Sequence, residues 1–423
     1  MLYPLAMRMV SALLLCWFSV VSASDAADVR GFDVTHLEVV GIKRTQQKAI
    51  ADLLPRPLPA RITESELAEL KRRLGNLNVF DDVHVGVDGP VLRVVVREKI
   101  SLAPVLSATT GKTLADIDIT AGVIEYNLFG DATRLLGQFR YTQRGLNFDL
   151  WLMEHTYRPG RWASEGKLYL QSSGFRFEDA PLQWQRQRLA AEYELVSPFH
   201  YGSSWRFELI FRSYWEGLSD VTQGTSPGGG LFVGATFELI WDRFAFHDVT
   251  PTGVRLVFLA TPGHFFGPNH FRGELGFKYL HGLPLWKEAV LLVNGEAGAV
   301  NGGNVNHSLL VGTQSGVRGL SDSLYRNLAM GFFNVELRQS IWLAPRWALQ
   351  VAALADGAVF NPMDSGGRAT KWLGALSVGG GLRLIPTFLA HTLIRLDAGR
   401  LLEPTGAWFW QASITQYIGS RPK

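Results

Sequence analysis

SGVRGL, residues 315–320, sets one arginine between two glycines in a stretch otherwise poor in charge. Gly316 and Gly319 let the backbone approach other groups closely. An arginine held away from bulk water needs anionic partners, because an unpaired buried charge is costly. Its planar fork grips a carboxylate through two parallel hydrogen bonds and does not deprotonate. The chemistry on offer is therefore ionic fastening. Nothing in the chain reads as catalysis: there is no G-x-S-x-G elbow, no H-E-x-x-H and no P-loop. The glycine cluster Ser226-Pro227-Gly228-Gly229-Gly230 lacks both a lysine and a following helix. His264 and His270 lie six apart across a Gly-Pro turn and read as surface residues, and the ten histidines show no ligand spacing. No catalytic residue, metal or cofactor is expected.

An arginine of this kind needs walls that carry the carboxylates. The chain opens MLYPLAMRMVSALLLCWFSVVSASDA, with Arg8, an apolar run over 9–21 and then small residues. That is the pattern of a secretory signal, residues 1–23, or to 26 if cleavage falls later. Its apolar core is shorter than the roughly 18 residues of a spanning helix. The single cysteine, Cys16, falls inside it, so the exported chain is expected to hold no disulfide. A net charge of +3 without a basic stripe argues against nucleic acid as a partner. The chain carries 44 Gly, 13 Trp, 11 Tyr and 25 Phe, yet its mean hydropathy is only +0.07. An exported, aromatic-rich chain with no helical span fits a membrane β-barrel, whose alternating strands hide their apolar face from a window average.

Residues 33–100 read as a small α+β unit of order β-α-α-β-β. Val34 to Val40 predicts a strand, and Thr45 could cap a helix carrying Ala49, Ile50, Leu53 and Leu54. Thr63-Glu64-Ser65-Glu66 predicts a capping box, with Gly75 as the stop. Strands over 80–87 and 91–97 follow, joined by a turn at Asp88-Gly89.

From residue 101 to 423 the apolar period becomes two. Trp205, Phe207, Leu209 and Phe211 alternate with Arg206, Glu208, Ile210 and Arg212. Phe271, Gly273, Leu275, Phe277 and Tyr279 alternate in the same way with charged neighbours. An apolar face opposed by one of both charge signs suits lipid outside and water inside. About sixteen such segments fit between 101 and 418, an even number as single-chain barrels require. SGVRGL lies in the longest gap, 299–327, between the eleventh and twelfth. If Phe333, Val335 and Leu337 face lipid, Glu336 faces the lumen, and the same parity places Asp356 there. Arg318 is thus expected to dock on Asp356, Glu336 or both, pinning the loop to the inner wall.

Several motifs stand in order around that loop. They are Asn127-Leu128-Phe129-Gly130; Asp242 with Arg243, followed by Pro251-Thr252-Gly253; Glu336 with Arg338; Asp356-Gly357-Ala358-Val359-Phe360; and Gly381-Leu382-Arg383. Together with Val317-Arg318-Gly319-Leu320 they resemble the outer-membrane assembly superfamily typified by BamA and TamA, the bacterial surface antigen family. Leu320 stands where that family carries an aromatic residue. The N-terminal unit resembles a single POTRA domain, with Asn78 to Val83 like its entry to the second strand. The resemblance implies an outer-membrane barrel of sixteen strands with its POTRA domain in the periplasm. It implies the same Arg318 lock. The implied work is insertion or translocation of unfolded outer-membrane or secreted client polypeptides, by strand pairing at the seam between the first strand (near 103–110) and the last (406–418). Partners would be those clients, outer-membrane lipid and accessory periplasmic proteins. A passive channel or structural surface barrel is the alternative, and a two-partner secretion pore a further one.

Overall fold

The structure, a computed structural model, describes residues 30–109, 118–142, 145–155, 158–177, 180–198, 200–220, 229–245, 249–267, 269–301, 308–312, 316–320, 325–364 and 367–415. The signal segment, Ser226 to Gly228, Ser315, and the expected end of the last strand at Tyr417 or Ile418 lie outside the described residues.

The N-terminal unit comprises β1 (Gly31–Val34), β2 (His36–Val40), α1 (Gln47–Ala51), β3 (Ala60–Thr63), α2 (Glu64–Leu77), β4 (Phe80–Asp88) and β5 (Val91–Glu98). The order is β-β-α-β-α-β-β, longer than expected. The run from Val34 to Val40 breaks at Thr35 because its two halves join different sheets. β1 pairs antiparallel with β3, whereas β2 lies parallel to β5, which also pairs with β4. Thr45 does not cap α1. Its hydroxyl donates instead to the Glu98 carboxylate at 2.9 Å, and Gln46 occupies the cap position with no side-chain bond. The capping box at Thr63 forms in both directions, at 3.2 Å to the Glu66 amide and 2.8 Å back to the Thr63 amide. α2 runs past Gly75, burying Leu77, and stops at Asn78, which adopts a left-handed φ of 53°.

Sixteen antiparallel strands follow and close into one barrel, from β6 (Leu102–Thr109) to β21 (Trp408–Thr415). Their lengths run from 8 to 18 residues. The parity read from the sequence holds: Trp205, Phe207, Phe211 and Trp215 are exposed, while Arg206, Glu208, Ile210 and Glu216 are buried. An exposed belt of this kind is stable against lipid and costly against water. Among the described residues no helix is long and apolar enough to cross a membrane.

Seated on one end of the barrel is the N-terminal unit. Its core residues Ile50, Leu53, Ile62, Leu70 and Leu74 share one apolar cluster with Ala103, Tyr126, Leu136, Trp151 and Ala390 of the barrel. The connection between β16 (Ala289–Val300) and β17 (Asn327–Ala344), the eleventh and twelfth barrel strands, begins at the opposite end. It carries residues 316–320.

Candidate functional site

The loop turns inward because its own backbone folds back. The Gly312 carbonyl accepts from the amides of Gly316 at 2.6 Å and Val317 at 2.8 Å. Val317 and Leu320 are buried with Val311, Tyr325, Phe332 and Phe360. Leu320 therefore fills an apolar niche although it is not aromatic. A Cβ on Gly316 would lie 2.6 Å from Cγ of Phe332, so only glycine passes there.

This fold delivers Arg318 to the inner wall, where it is 5 % exposed. Its Nε and Nη2 donate to the two oxygens of Asp356, each at 2.8 Å, and its amide donates to the same carboxylate at 3.0 Å. Asp356 belongs to β18 (Trp347–Pro362). Glu336, on β17, stands 3.6 Å from Nη1. Both anticipated carboxylates are thus within reach, and the fork is on Asp356.

Asp397, on β20 (Leu393–Glu403), is a partner that the sequence reading missed: it accepts from Arg318 Nη1 at 3.3 Å. Asn334, which opens the motif of Glu336 and Arg338 but was not placed in the lock, and Ser377, which was missed, hold Asp356 at 2.9 and 3.1 Å. Asn334 also donates to the Gly316 carbonyl, tying the loop backbone to the wall. The motif arginines complete the cluster. Arg338 donates to Glu336 at 2.6 Å, and Arg383 bridges Glu336 at 2.7 Å to Asp397 at 2.5 Å. Arg395 lies 3.4 Å from Asp397. Gly381, on β19 (Leu373–Pro386), leaves the space that Asp397 occupies, since a Cβ there would fall on its Oδ1. Four guanidinium groups thus meet three carboxylates across four strands and one loop. Such a network fastens and orients.

The remaining motif residues do not join this cluster. Asn127 to Gly130 form the joint to the N-terminal unit. The buried Asn127 amide donates to the Thr45 hydroxyl at 2.9 Å, and its side-chain oxygen accepts from Ala132 N at 2.8 Å. Leu128 N donates to the Thr133 carbonyl at 2.8 Å, closing the turn. The carbonyls of Phe129 and Gly130 accept from Gln46, at 2.8 and 2.7 Å. Gly130 has φ +78°, and a Cβ on it would meet the Arg44 carbonyl at 2.5 Å. Asp242 shapes a second contact: it takes Arg255 at 2.7 Å and the Phe244 amide at 2.9 Å. The Phe244 carbonyl then accepts from Arg72 and Asn76 of α2, both at 3.0 Å. Pro251 is buried in the same hairpin, and Gly253 returns the chain at φ +94°.

Two buried histidines stand in turns at this end. Burial, followed by Arg158 and Arg134, pushes His155 down to about 3. His391 stacks on Tyr126 at 4.6 Å and is pushed well down by burial, then by Arg134 and Lys99. Both are neutral in the folded protein, whereas the unfolded chain gains protons below about pH 6.5. Their contribution is therefore complete above that pH and is lost as pH falls below it, for His155 down to about 3. The temperature at which gel mobility shifts to the unfolded form is expected to drop between about pH 7 and 5, and less steeply in His155→Gln and His391→Gln. A drop of equal slope in wild type and both variants would remove the histidines as its cause.

No protein-family model and no curated protein matches the chain. Solved structures do. CdiB from Acinetobacter baumannii superposes with a TM-score of 0.59 at 13% identity, over 91% of this chain and 74% of that one. CdiB from Escherichia coli gives 0.54 at 12%, over 93% and 92%. BamA from Haemophilus ducreyi, solved without POTRA domains 1–3, gives 0.53 at 12%, over 91% and 84%. The fold shared with BamA and CdiB fits the superfamily that the sequence motifs resemble.

Proposed function

We propose that this chain is an outer-membrane barrel, residues 101–423, that assembles or translocates polypeptide clients, with residues 33–100 as a periplasmic POTRA domain. The observation that carries the reading is the seam. β21 closes the barrel on β6, with the described pairs running from Gln411↔Thr109 to Ile414↔Leu106. This junction joins the last barrel strand to the first with no hairpin between them, so its amides and carbonyls can pass to an incoming strand without breaking a turn. The edge strands β2 and β4 of the N-terminal sheet offer the same chemistry to an extended client before it reaches the barrel. The lock keeps the rest of the wall rigid while the seam exchanges partners. The fold shared with BamA supports the same reading.

Reconstitution in liposomes tests it. An unfolded, chaperone-held outer-membrane barrel is added, and its folding is followed by heat-modifiable gel mobility. Folding faster than in protein-free liposomes, and lost in Arg318→Ala, is the expected result. Conductance without any client effect would instead favour a passive channel. Passage of a secreted polypeptide without barrel folding would favour a secretion pore.

A further inference from the structure

Phe409 on β21 points into the barrel and is 6 % exposed, while its neighbours Trp408 and Trp410 face outward. Its strand partner is Gly399 of β20, which in turn pairs with Gly379 of β19. A Cβ on Gly399 would stand 2.7 Å from Cζ of the Phe409 ring, so the ring lies across bare backbone. On its other side the ring meets the loop, because a Cβ on Gly319 would stand 2.7 Å from Cδ1. Gly319 adopts φ +83°, a conformation that glycine holds without strain. Phe409 is therefore slotted between the loop tip and the wall, one residue along the loop from Arg318. Among the described residues the seam pairs start two residues further along, at Gln411.

We propose that Phe409 is a positioning residue through which the docked loop holds the last strand. The arginine fixes the loop to β18 and β20; Gly319 then presses the Phe409 ring against Gly399, and the ring carries β21. Seam opening requires either the loop to lift or the ring to leave its slot. The consequence for clients rests on the seam reading above, but the contact itself does not.

Amide hydrogen exchange on the full-length protein in detergent tests the clamp without any client. Phe409→Ala is expected to speed exchange over 106–109 and 411–414 by at least about tenfold, leaving β17 and β18 unchanged. Phe409→Tyr keeps a ring in the slot and should stay within about twofold of wild type. Arg318→Ala leaves every residue of β21 in place and should also speed seam exchange, which covers the case where Phe409→Ala does not fold. Unchanged seam exchange in the variants, or acceleration spread equally over β17 and β18, overturns the clamp. Faster seam exchange in Phe409→Ala, with the wild-type protein folding clients no faster than protein-free liposomes, upholds the clamp and counts against the assembly function alone.

Discussion

An Arg318→Ala protein is expected to lose its docked loop while keeping its barrel. The substitution removes the fork on Asp356, the bond to Asp397 and the ion pair with Glu336. The remaining charges balance, three arginines against three carboxylates. The balance is misleading, because Asp356 then keeps the neutral donors Asn334 and Ser377 in place of its guanidinium. Breaking one side of a buried pair costs about 3–5 kcal/mol, since the partner stays desolvated. A cost of that size makes the undocked loop on the order of a hundredfold or more commoner than in wild type. Limited proteolysis reads this directly: cleavage within 301–326 should appear in the variant, with the barrel still resisting heat in gel mobility. Arg318→Lys separates charge from shape. A lysine keeps the charge but cannot place two parallel donors on both oxygens of Asp356. It should fall between wild type and alanine, and wild-type protease resistance in it would show that the fork is not what holds the loop.

How much of this was legible follows from which interactions are local. Strand parity is local, so Trp205 to Arg212 revealed both faces of a barrel wall, and the same parity turned Glu336 and Asp356 inward. The loop's position between the eleventh and twelfth strands came from counting, and the closed sheet bears it out. Asp397 was not legible in this way. Its strand reads L-I-R-L-D-A-G-R-L, with charges close together and no second motif residue to mark it. The available signal lay on another strand, in the glycine run 379–381, where an inner wall without side chains implies that something large is being accommodated. The break at Thr35 was hidden because V-T-H-L-E-V-V holds no glycine or proline to mark a stop, and only the choice of sheet partners splits it. The helix stop failed differently. Gly75 and Asn78 both suit a C-cap, and burial of Leu77 in the core decided between them. Asn127 to Gly130 could be recognised as a motif, but its purpose, joining the barrel to Gln46 and Thr45, is a contact over some 80 residues of chain.

Glu336→Gln is expected to have the larger effect on the barrel itself. Glu336 is fully buried and lies at the centre of the network, taking Arg338, Arg383 and Arg318. Neutralising it leaves four guanidinium groups facing two carboxylates, an excess that the amide cannot offset. Glutamine has the same length and retains one acceptor oxygen, so lost packing does not explain the result. Two of the affected arginines, Arg338 and Arg383, belong to β17 and β19 and are fully buried. The strain therefore falls on the wall, unlike Arg318→Ala, which frees a loop. Leaving buried charge uncompensated costs about 3–5 kcal/mol. The midpoint of heat-induced mobility shift should fall well below that of wild type and below that of Arg318→Ala. The double variant Glu336→Gln with Arg338→Gln restores part of the balance and should recover part of the loss. A midpoint for Glu336→Gln equal to that of wild type would mean that water or ions reach these arginines, and that the cluster fastens the loop without bracing the wall.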